Sequence, residues 1–292
     1  MANELIYHGL VSRHAPLSID LEIMRQTRFQ GLEISADKMR AMLAAGFGEA
    51  ELAATLKDVF IPGIGFLIDI ERTGSGEAAL FDEARDIFRL AGLAGARGVQ
   101  VLTGPVQVSA VEDFVLGRAS DLYKGALGLP RQEQVAVTAR NLARLADIAA
   151  ETGLLLYLES LAWSPLNRLA DQVELLERAD RPNLRLVVDF WHCYASGDSP
   201  DTVARLPAEL IYGVHVCDSL AFAGGIPNEV VLRDVPTGAG VLRLQDWVGA
   251  VKSTGYAGWW SCELFCRRQQ QDNSFAVARG LHDLMSRLVG GT

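Results

Sequence analysis

Cysteine, histidine and basic residues are all scarce in this 292-residue chain. Its four cysteines, Cys193, Cys217, Cys262 and Cys266, fall in the second half without the tight paired spacing of a structural zinc site or a disulfide framework, so reduced and buried thiols are expected. Lys and Arg number 27 against 36 Asp and Glu, a formal net charge of −9. The concentrated basic surface that phosphate-backbone binding needs is missing, and nucleic acid is not an expected partner. Long apolar runs are missing too. The most apolar stretch, 59–68, is broken by Pro62, Gly63 and Gly65 and is far shorter than the about 20 residues of a membrane-spanning helix. The opening Met-Ala-Asn-Glu lacks the basic start and apolar core of a secretory signal, which makes the cytoplasm the expected compartment. Gly74-Ser75-Gly76 lacks the third glycine of a dinucleotide cradle, so hydride transfer is not expected.

What is present is an ordinary globular balance, 49% hydrophobic and 22% charged, arranged as a repeated alternation. Short β-rich apolar runs occur at 5–10, 31–34, 63–69, 98–102, 154–159, 186–190, 211–216 and 259–264. Helical spacing follows at 81–94, 131–152, 170–179, 244–254 and 274–288. Several of the runs are nearly continuous in apolar residues, as strands of a parallel sheet are. Eight β/α units predict an α/β fold, a single (β/α)8 barrel, over an open doubly wound sheet. No linker, repeat or charge block divides the chain, so one domain over 1–292 is expected. Two segments, about 104–130 and 217–240, exceed ordinary connections. Both follow strands and would lie at the C-terminal face, where barrel active sites sit.

The late strands carry ionisable residues at their ends that core packing does not require: Glu159, Asp189, His215 and Glu263. Taken singly, each acid could cap a helix or pair with an arginine. On four consecutive barrel strands they would converge on one axis. Three carboxylates beside a neutral imidazole then call for a balancing cation. Such a donor set suits Mn²⁺ or Mg²⁺, with Co²⁺ acceptable; a set that recruited Cys217 or Cys193 would favour Zn²⁺.

These strand ends resemble the xylose-isomerase-like TIM-barrel superfamily, the group of ketose 3-epimerases, hydroxypyruvate isomerase, inosose dehydratase and metal-dependent 3-dehydroshikimate dehydratase. The specific part is Leu-Glu-Ser at Glu159, Val-Asp-Phe-Trp-His from Asp189 to His192, Val-His-Val-Cys-Asp at His215 and Cys-Glu-Leu-Phe at Glu263. Weaker agreement comes from Gly-Leu-Glu-Ile at Glu33 and the Gly-Tyr-Ala-Gly turn before the last strand. The resemblance implies that Glu159, Asp189, His215 and Glu263 bind one catalytic divalent ion, that His192 faces the substrate, that Arg233 contacts it, and that barrels of this type pair into homo-oligomers. Glu33 and Asp69, also at strand ends, are candidates for contact with substrate hydroxyls. His8 and His14 are ambiguous.

The expected chemistry is removal of a proton α to a carbonyl by one carboxylate and its return by another, Glu159 and Glu263, through a metal-stabilised enediolate. The expected activity is isomerisation or epimerisation of a small ketose or polyol. Loss of a β-hydroxyl, which would make the protein a dehydratase of a cyclic hydroxy-ketone, is the alternative, and a non-catalytic sugar-binding barrel a further one. Five histidines are too few for the multi-zinc centre of the related endonucleases.

Overall fold

The computed structural model describes residues 3–291. The short apolar runs form the strands β1 (Glu4–His8), β2 (Gly31–Ser35), β3 (Gly63–Leu67), β4 (Gly98–Leu102), β5 (Leu155–Glu159), β6 (Leu184–Asp189), β7 (Ile211–His215) and β8 (Trp259–Ser261). Each pairs in parallel with the next, and β8 returns to β1, so the expected single (β/α)8 barrel is the fold observed. The predicted helices are present as Ser75–Ala94, Arg131–Ala150, Leu169–Ala179, Leu244–Ser253 and Ser274–Gly290. Among the described residues no helix is long and apolar enough to cross a membrane.

Strand alternation sorts the side chains into two layers. Outward residues such as Leu156, Leu158, Leu186 and Val188 join the helices in the main core. Inward residues Ile6, Tyr157, Val187 and Trp259 form a separate plug inside the barrel. Aromatic rings of that size need room, and glycines supply it. A Cβ on Gly63 would overlap the Tyr157 hydroxyl, and one on Gly213 would overlap the Trp259 indole. Above the plug the same inward positions turn polar, which brings Glu33, Gln100, Glu159, Asp189 and His215 to the C-terminal mouth.

The strand ends differ from the sequence expectation where polar groups capture the backbone. β6 stops at Asp189 rather than Phe190, because Asp189 caps the helix Phe190–Ser196 by accepting from His192 N at 2.7 Å. β8 stops at Ser261 rather than Leu264. Beyond it the Glu263 carbonyl accepts from Arg233 Nη2 at 3.2 Å, and the Leu264 carbonyl from Gln270 Nε2 at 2.7 Å. The long segment 104–130 is not irregular throughout and holds the helix Val108–Val115; in 217–240 a single helical turn spans Glu229–Leu232.

One buried ion pair pins the loop after β1. Lys38 donates to both oxygens of Asp20, at 2.8 and 2.7 Å, and to the carbonyls of Gly9 and Ser12, at 2.9 and 2.8 Å. Ser12 in turn links Asp20 to the Tyr7 hydroxyl. Burial, opposed by the Lys38 charge, raises the Asp20 pKa to about 6. Lys38→Met would leave Asp20 buried without its counter-charge. The variant is expected to lose about 3 kcal/mol of stability, read as a lower urea midpoint; an unchanged midpoint would show that the pair holds nothing together.

Candidate active site at the barrel mouth

Closure of the barrel brings Glu159, Asp189, His215 and Glu263 together: one ligand atom from each lies within 4.8 Å of the others, and all four residues are buried. The register lines up two of them directly, with Asp189 opposite His215 across β6 and β7. Glu263 arrives from the segment just past β8. Within this cluster Glu159 Oε1 and His215 Nδ1 are buried without any hydrogen-bond partner. Native interiors rarely leave such atoms orphaned. Two orphaned buried polar atoms among three carboxyl groups and an imidazole are what a cation-binding cradle presents, so these residues fit a single divalent ion.

Glu33 was expected at substrate hydroxyls. The structure instead sets it behind His215, 2% exposed, with Oε2 3.1 Å from His215 Nε2. Tyr157 Oη and Ser261 Oγ also donate to it, at 2.7 and 3.1 Å. That arrangement fixes the imidazole: Nε2–H points at Glu33 and Nδ1 is turned toward Asp189 and Glu263, each 3.9 Å away. Burial alone would lower the His215 pKa, but the Glu33 charge raises it to about 10. Burial likewise opposes ionisation of Glu33, yet His215 holds its pKa near 2.

The two remaining glutamates sit in opposite environments. Burial and the charge of Asp189 push the Glu159 pKa well above the ordinary carboxylate range. Burial acts the same way on Glu263, but the Arg233 charge, followed by His215, holds it below that range. Carboxyl groups whose environments separate their protonation are suited to exchange a proton through a substrate.

Arg233 is not free for a substrate as the resemblance implied. It is 2% exposed and spends Nη2 on Glu263 Oε2 at 2.7 Å and Asp189 Oδ2 at 3.3 Å, and Nη1 on Glu229 Oε1 at 2.9 Å. The Phe265 ring packs against its guanidinium, 4.1 Å from the centroid. His192 does reach the cavity. Its Nδ1 accepts from Ala162 N at 3.0 Å, which places the ring proton on Nε2, 3.6 Å from Glu159 Oε1. Burial lowers its pKa to about 4, so it is a neutral donor at physiological pH.

The cavity above the cluster holds about 520 Å³ and is lined by Glu159, Glu263 and His192 at its polar end and by Phe66, Trp163 and Phe265 on its apolar walls. The segment 104–130 closes one side. Asp69, expected at substrate hydroxyls, accepts from Val106 N at 2.8 Å, and Glu71 from Gly104 N and Tyr123 Oη at 2.9 and 3.1 Å, so both acids anchor that segment.

Gln100 and Glu229 escape a sequence reading, and the ambiguous His8 also falls at the site. Gln100 donates to Glu159 Oε2; its signal was a lone amide at an inward position of an apolar strand. His8 stands edge-on to His215 with centroids 5.3 Å apart. Glu229 comes from a loop, where no periodicity marks it. All four cysteines are buried and free. Cys217 Sγ lies 3.3 Å from both Asp189 oxygens, and burial with the Asp189 charge keeps its pKa well above the ordinary thiol value, so it serves as a donor.

A family model described as xylose isomerase-like TIM barrel matches residues 28–285. The chain is 33% identical over 148 residues to a 3-dehydroshikimate dehydratase of Pseudomonas aeruginosa, half of this chain and 22% of that protein. It is 28% identical over 126 residues to an inosose isomerase of Halalkalibacterium halodurans, 42% of this chain and 44% of that one. The chain thus aligns with less than half the length of these relatives. In fold it is similar to the IolI protein crystallised with a zinc atom, at a TM-score of 0.84 and 17% identity over 98% of both chains.

Arg233 is the counter-charge for three acids, so Arg233→Met is expected to destabilise the metal-free protein by about 3–5 kcal/mol. Arg233→Lys should recover only part, since one ammonium cannot reproduce the guanidinium's forked donors. Urea unfolding in the presence of a chelator measures both; a midpoint equal to wild type in the methionine variant would refute the assignment.

Proposed function

The chain belongs to the xylose isomerase-like TIM-barrel family, and on that premise we propose that it is a divalent-metal-dependent isomerase or epimerase of a small polyhydroxylated ketone. The observation that carries this reading is the meeting of a ligand atom from each of four buried residues within 4.8 Å of one another, beside a cavity of about 520 Å³ that two of them, Glu159 and Glu263, line. Glu159, Asp189, His215 and Glu263 would hold the ion. Their hard donor set favours Mn²⁺ or Mg²⁺, and the zinc in the IolI neighbour makes Zn²⁺ a second candidate.

When bound, the ion supplies Lewis-acid stabilisation of negative charge on the substrate oxygens. The protein's own groups do the rest. The carboxylate of Glu159 or Glu263 takes the proton α to the carbonyl, and the other returns it, to the opposite face in an epimerisation or to the neighbouring carbon in an isomerisation. His192 Nε2–H donates to a substrate oxygen from a fixed tautomer. Phe66, Trp163 and Phe265 give the cavity apolar walls against which a substrate's carbon skeleton can pack. Glu33 acts through His215 by holding its Nδ1 toward Asp189 and Glu263, where an ion would sit.

A second reading, dehydration of a cyclic β-hydroxy-ketone, is favoured by the similarity to the Pseudomonas dehydratase. 3-Dehydroshikimate and an inosose are therefore the first probes, beside simple ketoses.

Elemental analysis after incubation with Mn²⁺ and desalting is expected to give about one ion per chain for wild type and none for Asp189→Ala; an equal metal content would remove Asp189 from the site. Glu33→Gln keeps every proposed ligand but loses the orienting carboxylate, and should bind Mn²⁺ about 10- to 100-fold more weakly by calorimetry. Glu263→Gln is expected to fold normally and to lose turnover by at least about 100-fold. Wild-type turnover in that variant would end its acid/base role.

A further inference from the structure

Glu229 is a carboxyl group for which α-proton transfer alone has no use. It lies on the helical turn Glu229–Leu232, within the segment that follows β7, and lines the same cavity as Glu159, Glu263 and His192. Its Oε1 is fixed by Arg233 Nη1 at 2.9 Å and lies 3.8 Å from His192 Nε2. Only Oε1 is engaged in a hydrogen bond; Oε2 has no protein partner among the described residues. One oxygen is therefore held by Arg233, and the residue that carries the other lines the cavity.

We propose that Glu229 is the acid that protonates a departing substrate hydroxyl, which makes this site competent for β-elimination of water as well as for α-proton transfer. The inference rests on the proton-transfer reading of Glu159 and Glu263 and adds the fate of the intermediate. In the first step one of those carboxylates takes the α-proton, and the C–H electron pair enters the enolate. In the second the enolate pair forms the Cα–Cβ double bond as the Cβ–O bond breaks. Glu229 gives its proton to the leaving oxygen. Water and an α,β-unsaturated ketone are formed without any change of redox state, and proton exchange with solvent resets the two carboxyl groups.

Two features favour Glu229 over the glutamates already assigned. A carboxylate that has just accepted the α-proton serves Cα, and an acid placed elsewhere over the cavity can serve the leaving group on Cβ without waiting for that proton. Glu229 also comes from the β7 loop and not from a strand end, and is absent from the four-residue cluster that presents ligand atoms to a cation. Burial, partly offset by the Arg233 charge, raises its pKa to about 7, which leaves a protonated fraction near neutrality.

The test compares wild type, Glu229→Gln and Glu229→Asp, each loaded with Mn²⁺, on 3-dehydroshikimate and on an inosose in D₂O. Loss of the α-proton signal by NMR reports proton transfer, and absorbance of the conjugated product reports elimination. Glutamine retains an acceptor for Arg233 Nη1, so the site stays assembled. Wild type is expected to do both. Glu229→Gln should exchange the α-proton within about threefold of wild type while elimination falls at least about 100-fold, with partial recovery in Glu229→Asp. A parallel fall of exchange and elimination would reduce Glu229 to a positioning residue for Arg233 and overturn the proposal. Undiminished elimination in Glu229→Gln would overturn it too. Wild type that exchanges the α-proton without eliminating would overturn it while leaving the proton-transfer reading intact; wild type that exchanges neither probe would overturn both.

Discussion

Like charge confined to the closed end of the barrel governs the rest of this structure. Parallel strands that close on themselves must aim their alternate side chains at one axis, and here the last inward positions carry acids. Burying even one uncompensated carboxylate costs several kcal/mol. The surroundings of the mouth make sense as answers to that cost. His215 and Glu33 neutralise each other at 3.1 Å, and Arg233 spreads its charge over Asp189, Glu263 and Glu229. What these cations leave uncovered is concentrated on Glu159, whose Oε1 has no partner and whose pKa is driven upward by burial and by Asp189. A divalent ion is the charge the arrangement still asks for.

The two cationic side chains divide the work by where they are anchored. Glu33 and His215 belong to strands, and the pair sits in a lattice of fixed donors, Tyr157 and Ser261, that cannot move without opening the barrel. Arg233 comes from a loop and reaches inward between aromatic rings. It joins that loop to the strand-end acids, so the position of Glu229 over the cavity and the protonation of Glu263 are set by one guanidinium. Strands thus define where charge is held, and the β7 loop defines what else can approach it.

The sequence was legible where local rules act in the same direction as tertiary structure. Runs such as Leu-Leu-Leu-Tyr-Leu-Glu and Gly-Val-Gln-Val-Leu become strands because they are apolar, β-compatible and bounded by helix stops, and the strand-end acids converge because closure leaves them no other direction. The misplaced boundaries are instructive. Phe190 reads as a continuation of its strand, but the Asp189 carboxylate captures His192 N and starts a helix one residue earlier. The roles of Glu33 and Arg233 were out of reach for a related reason: whether a charged side chain meets a substrate or another charge depends on partners brought together by the fold, such as His215, 182 residues from Glu33. Glu229 lies in an irregular segment, where neither period two nor period 3.6 marks an inward position.

Relatives of this chain carry the names of an isomerase and of a dehydratase, and the roles proposed for Glu159, Glu263 and Glu229 would let one scaffold accommodate both outcomes. Abstraction of an α-proton needs a base and a place for negative charge, which in the proposed reading Glu159, Glu263 and the cation cradle they share would supply at the strand ends. Nothing in that set decides whether the intermediate regains a proton or sheds a hydroxyl. In the proposed reading an acid over the neighbouring carbon tips that decision, and in a barrel such groups come from the βα loops. The first step is therefore constrained by the closure of the sheet, whereas the second is open to any loop residue that can present a protonated acid over the cavity. Specificity between the reactions belongs to the loops, while the capacity for either belongs to the barrel.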